Sequence, residues 1–193
     1  MPPGYNPREK NNLTLAANSQ VTLDDVRGNS LELLIEIIPD SALHCGLEVC
    51  ASPDRTETTR IFYDAAEKKL KIDTRKSSLD HGTKAVEAAP FVLKNEQTLT
   101  LPVYVDKSVV EVFANDRQAV ARRIYPTRHD SLHVSLFSKG GSTSVPTLRA
   151  WDIMPSNTYC PPTHRQVAMD TRLHESPTPH PPIRHRQPGP NCP

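Results

Sequence analysis

From Ser30 onward the chain alternates apolar and polar residues in short bursts. In Leu31–Ile38, Leu31, Leu33, Ile35 and Ile37 share one face while Glu32 and Glu36 mark the other. That period predicts a half-buried strand, ended by Pro39-Asp40. Further strands are predicted over 47–52, 59–65, 69–73, 99–106, 109–115, 119–126, 132–138 and 147–153. Their mean spacing is roughly ten residues, they are rich in β-branched and aromatic side chains, and no convincing helix exceeds two turns. The fold class expected is all-β, a two-sheet antiparallel β-sandwich.

Residues 103–126 carry the clearest pattern. Val103 and Val105 alternate with Tyr104 and Asp106; after the polar break Asp106-Lys107-Ser108, Val110, Val112 and Ala114 alternate with Val109, Glu111 and Phe113. Two alternating runs around a short break form a β-hairpin. Leu99, Leu101, Val103 and Val105 should point inward, and Pro102 argues for an edge position or an outward bulge, because proline cannot donate to a ladder. Residues 84–93 read as a loop entering a short strand, since Pro90 stops any helix.

The pattern is weaker at both ends. Residues 1–24 are polar without a clear period and read as a linker with at most a short strand, leaving the sandwich over 25–157. After Met154 the composition changes: ten of the 19 prolines and half of the eight histidines follow it, so 158–193 is expected to be a disordered Pro/His-rich tail. His164, His174, His180 and His185 there are irregularly spaced and lack a scaffold for a metal.

Composition excludes several classes. A net charge of +1 gives no electrostatic case for nucleic acid or an anionic membrane, and no apolar run approaches the ~20 residues of a membrane span. Residues 1–12 have no apolar core of the signal-peptide kind, so secretion is unsupported by this chain and the compartment stays open. Asn12-Leu13-Thr14 has the form of a glycosylation acceptor. Cys45 and Cys50 read as buried thiols, although Gly46 would permit the turn a disulfide between them needs; Cys160 and Cys192 fall in the tail.

The wording of the hairpin resembles the C-terminal β-sandwich module of the family 32 glycoside hydrolases, the invertases, inulinases and levanases. The family's V-D-x-S-x-V-E-x-F-x-N stretch and following R-x-Y-P are matched by Val105, Asp106, Ser108, Val110, Glu111, Phe113 and Asn115, then Arg123, Tyr125 and Pro126. Ile72, Asp73, Ser77 and Ser78 resemble a second stretch, V-D-R-x-x-S-S, with Thr74 in the arginine's place and Arg75 one position late. Residues 131–141 and 148–157 add further likeness. Where relatives often carry a glycine in the turn after the motif's asparagine, this chain has Asn115-Asp116-Arg117, and Asn and Asp tolerate the left-handed conformation.

The resemblance implies a parent that hydrolyses fructosyl bonds of sucrose, inulin or levan and is often secreted. It also implies a catalytic β-propeller as the module's partner. The family's catalytic signatures, N-D-P-N-G, R-D-P and E-C, do not occur here, so no catalytic residue, cofactor or metal ligand is expected and the chain should be inactive alone. Glycoside hydrolysis needs two carboxyl groups about 5–9 Å apart. Asp64, Asp73, Asp106 and Glu111 fall near one another in the expected fold. Each has an ordinary structural use: an Asx-type bond for Asp106, and an outward position or a pairing with Arg122 or Arg123 for Glu111. His129 and His133 flank a strand without a nucleophile motif. The alternative function is a stand-alone fructan-binding module, with Tyr63, Tyr104, Phe113, Tyr125 and Trp151 as candidate contacts. Trp151 shares a strand face with Val145 and Ile153, which suggests core.

Overall fold

The alternation survives folding almost residue for residue in the computed structural model, which describes residues 5–154 apart from 81, 83, 95 and 96. Strand β3 (Ser30–Ile38) buries Leu31, Leu33, Ile35 and Ile37, and β8 (Leu99–Asp106) buries Leu99, Leu101, Val103 and Val105. The remaining strands are β1 (Tyr5–Leu15), β2 (Ser19–Arg27), β4 (His44–Ala51), β5 (Thr58–Asp64), β6 (Lys69–Lys76), β7 (Val86–Pro90), β9 (Val109–Ala114), β10 (Gln118–Arg123), β11 (His133–Lys139) and β12 (Thr143–Asp152). They form two antiparallel six-stranded sheets, ordered β1-β12-β3-β8-β9-β10 and β2-β11-β4-β5-β6-β7. One apolar core drawn from the inner faces of both sheets joins them, as a sandwich requires.

Residues 5–24 are not a linker. They form β1 and most of β2, which pair with β12 and β11 at the edges of the two sheets. Few positions of an edge strand face the core, and here Leu13, Leu15, Leu23 and Val26 supply the inward contacts while the rest stays polar. Polar composition therefore hid two strands. The tail over 158–193, with its histidines and cysteines, lies outside the described residues.

Pro102 is not at an edge either, because β8 lies between β3 and β9. The Thr100 amide and carbonyl both bond Asn115, through its Oδ1 and its backbone amide, at 2.9 Å each. Alternation then turns the Pro102 nitrogen towards β9 as well, and the β8–β9 register runs only from Val103 to Asp106. The missing donor coincides with the gap in that ladder, between the Val103–Val112 pair and the Thr100–Asn115 bonds.

The β8–β9 turn is two residues long and the β9–β10 connection three, since Ala114 pairs with Gln118. Asp106 pairs with Val109 across Lys107-Ser108, with Lys107 at φ 52°. The Lys107 amide bonds the Asn29 carbonyl, and no Asx-type bond from Asp106 is present among the described residues. Asn115 and Asp116 both have positive φ, 49° and 53°, and the Arg117 amide returns to the Ala114 carbonyl. This is a type I′ turn built without glycine.

Candidate functional site

Cys45, Leu47 and Val49 of β4 point into the core, which leaves Gly46 and Glu48 on the outer face of the second sheet. Gly46 lies between Phe62 and Phe137 on the neighbouring strands, whose rings meet edge to face at 6.1 Å. A Cβ at Gly46 would stand 2.7 Å from the Phe62 Cα and closer still to the Ile61 carbonyl oxygen, so only glycine lets β5 approach. In the next cross-strand row stand Ser135, Glu48, Arg60 and Asp73.

Glu48 is fully buried although it belongs to an outer face. Arg55 Nη1 donates to it at 2.8 Å, Arg60 Nε at 2.7 Å, and the Gln20 side chain adds a third bond. Arg55 extends the network to the Thr22 hydroxyl at 3.1 Å, and the Arg60 guanidinium lies over the Phe137 ring. Asp73 accepts two bonds from Arg75, Nε at 2.9 Å and Nη2 at 2.7 Å. Asp64, near the β5–β6 turn, is held by Lys71 at 2.8 Å, the Glu67 amide at 2.9 Å and His44 at 3.3 Å. Burial pushes the Asp64 carboxyl up, but Lys71, the amide and His44 outweigh it and keep it below the usual carboxylate range. A cleft of about 690 Å³ opens over this polar face, lined by Glu48, Asp54, Arg55, Thr58, Arg60, Asp73, Arg75 and Lys76. A second hollow of about 450 Å³ shares Arg60, Asp73 and Arg75 with it and continues over Phe62 and Phe137.

The other organised region is a set of loops where β5 and β11 begin and β10 ends. Its centre is Glu57, fully buried, which accepts bonds from the Thr127 amide at 2.7 Å, the Arg128 amide at 3.0 Å, the Leu79 amide at 3.1 Å and the Ser131 hydroxyl at 2.6 Å. One carboxylate thereby ties together the segments around residues 57, 79 and 127–131. Desolvation raises its pKa, yet the Ser131 hydroxyl and the two amides of Arg128 and Thr127 hold it below the ordinary value. Arg128 bridges Asp54 at 2.7 Å and Asp130 at 2.8 Å over the same loops. Leu79, Tyr125, Tyr5 and Met154, all exposed, belong to this end of the strands.

The four acids singled out from the sequence separate. Asp64 and Asp73 lie on the second sheet, while Asp106 and Glu111 belong to the β8–β9 hairpin of the first. Glu111 faces outward beside Tyr104, and Arg122 pairs with Glu87 at 2.9 Å rather than with it; Arg123 lies over Tyr125. Tyr63 packs inside against Phe91. Trp151 is not core. A register irregularity between Ser144 and Thr147 shifts the alternation of β12, so that Val145, Leu148 and Ala150 are buried and Trp151 turns outward. It stands in one row with Glu32, Tyr104 and Glu111, and Phe113 meets Tyr104 edge to face at 6.1 Å. Cys45 and Cys50 are unpaired in the core, both thiols pushed up to about 12 by burial. Cys50 lies beside Val49 in the core despite strand alternation because it sits at a kink with φ 47°. Glu48 and Glu57, the best-held carboxylates, were not legible as such: each reads as one acid among many until its distant partners are in place.

Comparison with known proteins adds the relatives. Over 144 residues the chain is 31% identical to the levanase of Bacillus subtilis, a match covering 71% of this chain and 21% of the relative. Over 97 residues it is 34% identical to the extracellular exo-inulinase of Aspergillus niger, covering 48% and 18%. Among solved structures, a fructosyltransferase from A. japonicus superposes with a TM-score of 0.68 at 24% identity, over 78% of this chain and 27% of that one. The chain thus spans about a fifth of the length of the two curated relatives. The model of the family described as glycosyl hydrolases family 32 C terminal matches residues 5–152, the same span that runs from the first residue of β1 to the last of β12. With all twelve strands inside that match, the chain belongs to the family 32 C-terminal family.

Proposed function

We propose that this chain is the non-catalytic C-terminal module of a β-fructofuranosidase-type hydrolase, one acting on sucrose, inulin or levan. Its work is structural, packing against the catalytic β-propeller that carries the reacting carboxylates. The observation that carries the reading is the family match over the whole sandwich in a chain whose match covers only about a fifth of each curated relative. The acids support it. Glu48, Glu57, Asp64 and Asp73 are committed to their own cations, amides or hydroxyls, and none is left as a bare acid–base pair across a cleft.

The test has two arms. Incubated with sucrose, inulin and levan, the isolated chain should release no fructose; turnover would sink the proposal. Mixed with a separately produced family 32 propeller, it should sediment as a one-to-one complex and raise the propeller's melting temperature.

A second reading, a stand-alone fructan-binding module, is favoured by the outward Trp151 in the same cross-strand row as Tyr104, whose ring meets Phe113. Calorimetric titration with inulin and levan separates the two. Saturable heat that Trp151→Ala abolishes belongs to the second reading alone.

A further inference from the structure

The groove over the second sheet has more donors than the protein itself uses. Along the larger cleft Arg55, Arg60, Arg75 and Lys76 face Glu48, Asp54 and Asp73, four cations against three carboxylates. Every one of those carboxylates is already engaged: Glu48 by Arg55 and Arg60, Asp73 by Arg75, Asp54 by Arg128. The donors are not exhausted in return. Among the described residues Arg60 donates hydrogen bonds only from Nε, Arg75 makes none from Nη1, and Lys76 has no ion-pair partner. The Arg60 and Arg75 side chains are 49% and 65% exposed, so those edges open to the groove.

A second, independent observation lies in the wall of the same cleft. Thr58 is 4% exposed, and its Oγ1 has no hydrogen-bond partner among the described residues. Buried hydroxyls rarely go unpaired, because desolvating one without a partner is unfavourable. The volume, about 690 Å³, falls in the range of small-molecule sites.

Surplus planar donors with every native carboxylate already neutralised suit a ligand rich in anionic oxygen acceptors. A neutral sugar could accept from those donors but would leave their surplus positive charge uncompensated. We infer that this cleft binds a phosphate ester of a small sugar. Arg60, Arg75 and Lys76 hold the phosphate, and the sugar lies along the wall in which Thr58 is set. The inference stands on the cleft's own inventory and is independent of whether a propeller packs on the module.

The experiment is calorimetric titration of the full chain with hexose 6-phosphate, inorganic phosphate and unmodified hexose at matched ionic strength. Hexose 6-phosphate should bind saturably, inorganic phosphate should compete more weakly, and the unmodified hexose should give no measurable heat. Lys76→Ala and Arg75→Lys should each weaken binding about tenfold, whereas Lys94→Ala, outside the cleft, should leave it unchanged. Lys76→Ala removes no side-chain hydrogen bond or ion pair among the described residues, and unchanged melting of that variant shows that its loss of affinity is not a loss of fold. Absence of saturable binding, equal binding of unmodified hexose, or full affinity in Lys76→Ala would each overturn the proposal.

Discussion

On the outer face of the first sheet, Glu32, Tyr104 and Glu111 stand in one row with Trp151; Glu32 accepts only a long bond from the Tyr104 hydroxyl, at 3.4 Å. On the outer face of the second, Glu48 is sealed under two guanidiniums and an amide, and Asp64 under a lysine, a histidine and a backbone N–H. Both sheets bury the same kind of apolar inner face. They differ in where ionic groups enter the packing. Along that row of the first sheet charge decorates a surface that hydrophobic alternation has already specified, although the Arg8–Asp152 pair between β1 and β12 is partly buried. In the second sheet Glu48 and Asp64 are themselves buried and must be satisfied for the strands to stay in register.

Charge removal should therefore hurt one side and not the other. The largest effect is expected for Glu57→Ala, about 4 kcal/mol by urea denaturation, because three amides and the Ser131 hydroxyl lose a common acceptor. Hydrogen exchange at Thr127 and Arg128 should accelerate with it. Gly46→Ala should cost about 3 kcal/mol by pushing Phe62 off β4, measurable as a lower melting temperature and an altered near-ultraviolet aromatic signal. Glu48→Ala should cost about 2 kcal/mol, less than a fully buried pair, because the released Arg55 and Arg60 side chains are 37% and 49% exposed and can turn to water.

A smaller, pH-dependent loss follows from the depressed carboxyls. Glu57 and Asp64 titrate below their ordinary values in the folded protein, so their contribution is complete above about pH 5 and is lost as pH falls through the folded values. The urea midpoint should hold steady from about pH 7 to 5 and drop below about pH 4. Glu57→Gln should flatten that drop. Least of all, Glu111→Ala on the first sheet should change stability by no more than about 0.5 kcal/mol. A larger loss there would break the contrast between the faces.

The same contrast marks what the sequence let one read. Strands β3, β8 and β9 were legible because each carries a complete apolar face beside a polar one. The β9–β10 turn was legible through Asn115-Asp116, residues that accept the left-handed region. Strands β1 and β2 escaped because edge strands need few inward side chains. Trp151 was misassigned because one irregularity in β12 reverses the face of every residue after it; Pro146, inside that irregularity, is the local signal of the slip. The second sheet's polar face was least legible. Alternation places Glu48 outside, but whether it ends up solvated or sealed depends on Gln20, Arg55 and Arg60, which come from other strands and loops. Glu57 depends on partners some seventy residues downstream.

Strand β1 pairs only with β12 within its sheet, Tyr5 opposite Asp152 and Leu15 opposite Thr143. During synthesis the first strand of the sandwich must therefore wait for its last before its ladder can form, while β4 to β6 and β8 to β10 pair with neighbours made moments earlier. For most of translation β1 is an orphan edge. The lysine, arginine and asparagine content that disguised it as a linker keeps a waiting strand from recruiting the wrong partner.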